Sequence, residues 1–397
     1  MTGNNVQAPT DRRLPERRFE AAVIEPVGGH AGMNVYNIEL ARGLYSAGVP
    51  NRLYTCDETP ETSEPGVTVL KPFKGIYGKT PRFWRGLKFI LGLCRCLGDL
   101  RRQRVTVAHL HYFQYGIREL ACCVALKLLG IRVVATVHDV NPFSNPELLT
   151  LFKPIIKLSD HLIVHNHFSA RMLQQKAAAL PQMPPVSVIN MGNFLGSTRL
   201  VDRLEAKELL ALPISEPTLL FFGQIKPEKG LEELLSAFAI HKHRGGAGRL
   251  LVAGRPMAND PVDYEKKADE LGITSHVTFQ LAYIPEVDVG LYYSAADLIL
   301  LPYREIYQSA VLIMAMSYGR AVLVSDLAPM MEVVEEGVNG LSFRAGNIDS
   351  LADVLGHALA DSGRLAELGR NAAADMRDNY SWENIGARIS AVYASQT

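Results

Sequence analysis

The chain alternates short apolar runs with stretches of helical spacing from residue 19 nearly to its end. "FEAAVIEPV" (19–27) reads as a buried strand, and the glycine-rich "GGHAGM" follows it. "NVYNIELARGLYSAG" then sets Val35, Ile38, Leu40, Ala41 and Leu44 on or near one face, the spacing of an amphipathic helix. "VPNRLYT", "VAHLHYF", "RVVATVHDV" and "HLIVHN" predict further strands with helical patterns between them. The second half repeats the scheme. Strands are expected at "TLLFFG", "GRLLVAG", "HVTFQL", "DLILLP" and "AVLVSD", and helices at "LEELLSAFAIHKH", "YEKKADELG", "SAVLIMAMSYG" and "MMEVVEEG". An amphipathic helix, "SWENIGARISAVYASQ", closes the chain.

This alternation is the signature of a parallel sheet with helices on both faces. Its repetition over 397 residues predicts an α/β protein of two Rossmann-like domains facing across a ligand cleft. A Pro-rich then Gly-rich segment, "LPQMPPVSVINMGNFLG", leads into a linker expected near 192–217. The division expected is a disordered tail over 1–17, a first domain over 18–195, a second over 196–378, and a C-terminal helix over 379–397.

Composition changes this picture little. The formal net charge is zero, so no global field calls for nucleic acid and any charge-driven partner is local. The five cysteines have no zinc or disulfide spacing, which suits reduced thiols in a cytoplasm. The polar start lacks the apolar core of a secretory signal, and no stretch of 18 apolar residues predicts a membrane span.

Candidate chemistry sits where strands feed helices, because ligands of open parallel sheets lie beyond the carboxyl ends of strands. "VGGHAGMN" offers Gly28, Gly29 and Gly32, which would let the backbone approach an anion or simply make a tight turn. The spacing is not that of a nicotinamide fingerprint. "FFGQIKPEKGLEELL" ends a strand at Gly223 and places Lys226 and Lys229 before a helix, where they oppose its dipole unless an anion such as a diphosphate binds. "PYREIYQSAVLIMAMSYG" places Glu305 and Gln308 ahead of a helix that Ser309 would cap and Ala310 would begin. Free amides there could meet a phosphate or sugar hydroxyls. His138 ends its strand facing the cleft, though a lone histidine there is more often structural. The pairs His109/His111 and His165/His167 suggest metal, but no third ligand stands at useful spacing and no Asp-x-Asp occurs.

Taken in order, the glycine loop, the strand-end histidine, the "GxxxPEKG" segment and the acid-loop-helix resemble glycosyltransferases of the GT-B type, and most nearly the retaining enzymes of family four. The resemblance spans nearly the whole chain. It implies a GT-B fold, with a C-terminal helix crossing back to the first domain. It also implies a metal-independent hexosyltransferase without cofactor, taking a UDP- or GDP-linked sugar to a glycan or polyprenyl-diphosphate-linked acceptor. By the same resemblance Lys229 holds the donor diphosphate, Lys226 makes up for Gln224 where the family has arginine, His138 serves the sugar, and Gly28, Gly29 and Gly32 line the donor. The family's paired glutamates fall at Ile306 and Met314, neither of which bonds a hydroxyl. The "PYR-acid-x-x-QS" form resembles a subgroup in which Gln308 and Ser309 take over donor contacts, and Glu305 is expected nearby to grip the sugar.

Residues 71–104 hold ten Lys/Arg and one acid, Asp99. Within them "FWRGLKFILGLCRCLGDL" sets Phe83, Leu87, Ile90, Cys94 and Leu97 at helical spacing beside Trp84, with Arg82, Arg85 and Lys88 among them. Two readings follow: an interfacial helix on an anionic membrane, peripheral on the inner face, or an ordinary helix with that stripe in the core. Two other functions compete with transfer. An epimerase of the same fold needs paired carboxylates in the cleft, and none can be placed. A non-catalytic nucleotide-sugar binder would explain the missing glutamates.

Overall fold

The computed structural model describes residues 20–28, 32–60, 66–77, 81–141, 151–257 and 260–396, with Arg82 described by its backbone alone. The first half runs β1 (Ala21–Ile24), α1 (Met33–Ser46), β2 (Asn51–Cys56), β3 (Val67–Phe73), α2 (Arg82–Arg102), β4 (Val107–Tyr112), α3 (Ile117–Leu128), β5 (Arg132–Val137), α4 (Phe152–Leu158), β6 (His161–Val164), α5 (His167–Ala177) and β7 (Val186–Val188). The second runs α6 (Arg203–Leu209), β8 (Thr218–Phe222), α7 (Leu231–His243), β9 (Arg249–Ala253), α8 (Tyr264–Glu270), β10 (Val277–Gln280), α9 (Glu286–Ala295), β11 (Leu298–Leu301), α10 (Ala310–Ser317), β12 (Ala321–Ser325), α11 (Ala328–Met331), β13 (Leu341–Phe343), α12 (Ile348–Leu359), α13 (Ser362–Asn379) and α14 (Trp382–Ala394).

The strands form two sheets, ordered β3-β2-β1-β4-β5-β6-β7 and β10-β9-β8-β11-β12-β13. The ladders are parallel, as in β1 with β2 and β4, and β8 with β9 and β11. Strands such as "LILL" of β11 are buried at every position, since helices cover both faces. In each sheet the order reverses beside the first strand, between β1 and β4 and between β8 and β11. The crevice at each switch point collects the loops after those strands. The two switch points hold most of the candidate residues.

The last helix returns to the first domain. α14 packs on α1, and the fit is close: Gly43 and Gly386 leave no room for a Cβ between the two backbones. Trp382 Nε1 donates to Asn193 O at 2.7 Å.

Two expectations change. The helix expected over "MMEVVEEG" stops at Met331. Beyond it Asn339 Oδ1 accepts from Glu335 N at 2.8 Å, and Gly337 takes φ 70°, so a side-chain-locked turn replaces further helix. The stretch 192–217 contains a 3-10 turn at Leu195–Ser197 and α6, which packs on α9 of the second domain.

Candidate functional site

Gly223 leaves β8 at φ 101°, a conformation that L side chains rarely adopt. Space is tight there as well. A Cβ there would lie 3.2 Å from Lys229 Nζ and 3.3 Å from Val311 Cγ2. That contact joins three predicted pieces: the end of β8, the lysine before α7, and the first turn of α10. Lys229 is buried, and its ammonium lies 5.3 Å from the Tyr303 ring centroid with no ion pair among the described residues. Burial pulls its pKa down to about 8. Lys226 is half-buried on the same turn, and its charge opposes the burial that pushes the Asp139 carboxyl up to about 6 across the cleft. Gln224 is exposed.

The loop from β11 to α10 is tied down at one end. Arg304 pairs with Glu233 and, at 3.7 Å, with Glu232, while its backbone N donates to Glu228 O at 2.8 Å. The next side chain, Glu305, is exposed. Ser309 Oγ accepts from Leu312 N at 3.1 Å, the expected cap, and Ala310 begins α10. Ile306 and Met314 pack on the apolar core and bring no polar group to the site.

His138 is 3% exposed and uses both ring nitrogens. Gln308 Nε2 lies 2.9 Å from Nδ1, so that nitrogen accepts. Its proton then sits on Nε2 and is donated to His111 Nδ1 at 3.0 Å. Phe113 stacks on the imidazole at 4.2 Å between centroids, 7° from parallel. His165 packs nearby and holds Ile189 O at 2.8 Å through Nδ1, and His109 stacks on His111 while bonding Tyr393 and Thr136. Burial, with mutual repulsion in three of them, keeps these four histidines neutral: His109 is lowered to about 3, His165 to about 4, and His111 and His138 lie well below the usual value. The period-two spacing of His109 and His111 signalled this cluster. Weighing the pair only as metal ligands hid it. No group of three or more His, Cys, Asp or Glu is placed to hold a metal ion among the described residues.

Four further hydrogen bonds close the cleft beside Gln308. Asn166 Nδ2 donates to Tyr307 O at 2.6 Å and Asn141 Nδ2 to Tyr307 Oη at 3.1 Å. Glu332 accepts from the amides of His167 and Phe168, at 2.6 and 2.7 Å, at the start of α5. A cavity of about 210 Å³ lies between the domains here, with Gln308, Ser309, His165 and Glu332 in its walls. Gly223, Lys226 and Lys229 are outside those walls.

Of the glycine loop, Gly29 lies outside the described residues. Gly28 is held small by the protein itself, since a Cβ would meet Asn37 Nδ2 and Thr55 Oγ1 at 2.8 Å each. Gly32 caps α1 with open space about it and makes no side-chain cap hydrogen bond.

On α2 the named stripe faces outward. Phe83 is 77% exposed, Trp84 54% and Ile90 56%, with Leu87 and Cys94 also exposed. The core takes a different stripe, Phe89, Leu93, Cys96 and Leu100. Leu97 is half-buried and Lys88 exposed. Arg85 is half-buried, with its Nε buried. No helix is long and apolar enough to cross a membrane among the described residues.

Comparison with known proteins agrees with the geometry. Residues 202–375 match the family described as glycosyl transferases group 1, and residues 30–192 match Glycosyltransferase Family 4. The chain is a GT-B glycosyltransferase of the family-four type. D-inositol 3-phosphate glycosyltransferase from Thermobispora bispora is 28% identical over 92% of this chain and 90% of its own. Among solved structures, sucrose-phosphate synthase from Thermosynechococcus elongatus superposes with a TM-score of 0.77 at 21% identity, covering 95% of this chain and 99% of that one. Anabaena HepE in complex with UDP and glucose gives 0.73 at 17%, covering 95% and 100%.

Proposed function

We propose that the enzyme transfers a hexose, with retention, from a UDP- or GDP-linked sugar to a glycan or polyprenyl-diphosphate-linked acceptor. The observation carrying this reading is the meeting of Gly223, Lys229 and the first turn of α10 at the second switch point. A buried ammonium beside a helix N-terminus suits a diphosphate, and it would stabilise the nucleoside diphosphate as it departs. Glu305, Gln308 and Ser309 then stand on the sugar side, with His138 across the cleft. HepE was solved with UDP and UDP-glucose, which supports a nucleotide-sugar donor for this chain as well.

Retention is favoured because His138 has no carboxylate partner among the described residues to make it a base; its neighbours there are an amide and a second imidazole. The outward stripe of α2, beside Lys88 and the arginines of that helix, supports docking on an anionic membrane where a lipid-linked acceptor would be presented.

A thermal-shift screen of nucleotide sugars tests the donor, because stabilisation grows with ligand concentration over affinity. One UDP- or GDP-sugar should raise the melting temperature, and nucleoside diphosphate should be released when acceptor is added. No shift with any of them would overturn the reading. Binding without release would leave a nucleotide-sugar binder instead of a transferase.

A further inference from the structure

At the carboxyl ends of β1 and β4 lies a second cavity, of about 340 Å³, wholly within the first domain. Its walls include Glu25, Phe89, His111, Phe113 and Arg118. It adjoins the sugar side of the cleft, since Phe113 stacks on His138 and His111 bonds it.

Two of its polar groups have capacity to spare for a ligand. Glu25 is 3% exposed, and among the described residues its side chain accepts from the amide of Val27, 2.9 Å from Oε1. It has no ion pair among the described residues. Burial, eased by the Val27 amide and reinforced by Glu119, pushes its carboxyl up to about 8. His111 Nε2 is buried with no partner among the described residues, and with Nδ1 accepting from His138 it carries a proton to donate. A buried polar group left this way costs stability, so a ligand that bonds it gains by as much.

The remaining walls say what that ligand is. Phe89 and Phe113 offer flat apolar faces. The charges are Arg118, which bonds the Tyr77 hydroxyl, and Glu119, which takes the Gly116 amide at 2.9 Å. Glu25 is held neutral by its burial and Arg118 is balanced by Glu119, so the walls offer no net positive charge to hold a phosphate. A hydroxyl can donate to a carboxyl and accept from an imidazole N–H at once.

We propose that this cavity receives the acceptor as a neutral polyhydroxylated ring, one hydroxyl of which is hydrogen-bonded by Glu25. The proposal rests on the glycosyltransferase reading above. It separates this enzyme from a relative named for an inositol phosphate. Phe89 belongs to the inner face of α2, so a ring seated here lies directly beneath the exposed stripe of that helix. Any lipid or phosphate carried by the acceptor stays on that outer side.

The test measures transfer from UDP-glucose and GDP-mannose to octyl glucoside, octyl galactoside, octyl mannoside and inositol 1-phosphate, using full-length protein. UDP and GDP affinities are measured in parallel by calorimetry. The expected result is transfer to a neutral glycoside. Glu25→Ala should raise the glycoside KM at least about tenfold, the worth of one good hydrogen bond, while nucleotide affinity stays within about twofold. Glu25→Gln, which keeps size and bonding capacity, should recover most of the loss. Should Glu25→Ala fail to fold, Gln114→Trp at the cavity's wall serves the same purpose by filling it.

An unchanged glycoside KM in folded Glu25→Ala and in Gln114→Trp overturns the proposal. So does a wild-type preference for inositol 1-phosphate, or nucleotide binding with transfer to no glycoside. Failure of the wild-type protein to bind any nucleotide overturns the function itself, and is read in the calorimeter before an acceptor is added.

Discussion

Gln308 reaches across the cleft to His138, amide nitrogen to Nδ1 at 2.9 Å, and makes that nitrogen an acceptor. The contact joins the loop before α10 to the end of β5 and fixes which ring nitrogen carries the proton. A carboxylate in place of the amide would instead favour imidazolium. Gln308→Glu should therefore move the His138 titration upward toward the range between about pH 5 and 8, where the native histidine stays neutral. NMR of the ring carbon protons reads this directly. A resonance equally silent in both proteins would show that the two side chains do not meet in solution.

Lys229 gives a second pH dependence, of opposite sense. Its pKa is about 8, lowered by burial, and a diphosphate held by Lys229 as proposed would need the protonated form. Nucleoside diphosphate affinity should be flat below pH 8 and fall by about tenfold per unit above it. Lys229→Ala should cost roughly 2–3 kcal/mol of binding at neutral pH and abolish that slope. Lys226→Ala should cost no more than this. Calorimetry with UDP and GDP from pH 7 to 9.5 decides, and unchanged affinity in both variants would sink the phosphate assignment.

The histidine cluster should make the fold sensitive to acid. A histidine lowered by burial binds fewer protons folded than unfolded between its native value and about 6.5, so stability rises with pH across that window and falls on acidification. His109 at about 3 and His165 at about 4 should each withdraw on the order of 2 kcal/mol between pH 7 and 5. Urea midpoints should drop accordingly. His109→Gln, which retains a polar partner for Tyr393 or Thr136, should flatten the slope. A native slope that His109→Gln leaves untouched would refute this account.

How far the sequence could be read depended on whether a signal was local. β11 and α7 were legible because an apolar run and a 3.6-residue period announce themselves. Lys229 and Gly223 were legible because a strand, a glycine and a lysine before a helix have local meaning. Glu25 was missed because nothing local marks a carboxylate that becomes buried only when α2 and α3 close over it. Glu332 was missed because its partners, the amides of His167 and Phe168, lie on the other domain. The end of α11 was misjudged because Asn339 locks the turn from beyond the expected helix.

The outward stripe of α2 puts the membrane reading to experiment. Removing the charges of Arg82, Arg85, Lys88 and Arg95 should abolish much of the sedimentation with vesicles containing phosphatidylglycerol at low salt. Each basic residue near such a surface contributes about 1 kcal/mol. Phe83→Ser with Trp84→Ser should weaken binding that salt does not remove, because both rings are exposed and their loss leaves no cavity. Transfer to a short soluble acceptor should survive in both variants. A native protein that never sediments with these vesicles would end the membrane reading.

Glu305 is the sharpest test of the loop before α10. Its side chain is exposed while its neighbour Arg304 is fixed to Glu233, so the loop is held at one end beside it. If Glu305 grips a sugar hydroxyl, Glu305→Gln preserves size and replaces a charged acceptor with a neutral one. Turnover should fall on the order of 100-fold, the scale of losing one contact made in the transition state. Nucleoside diphosphate affinity should stay nearly constant, because the proposed function assigns that part to Lys229 and the amides of α10. Ile306→Glu would restore the family's acid in name only. Ile306 packs on the core, Met314 brings no partner carboxylate, and a second charge would stand one residue from Glu305. It should lower stability and leave turnover no higher. A silent Glu305→Gln together with an activating Ile306→Glu would mean that the sugar is held from the other side of this loop.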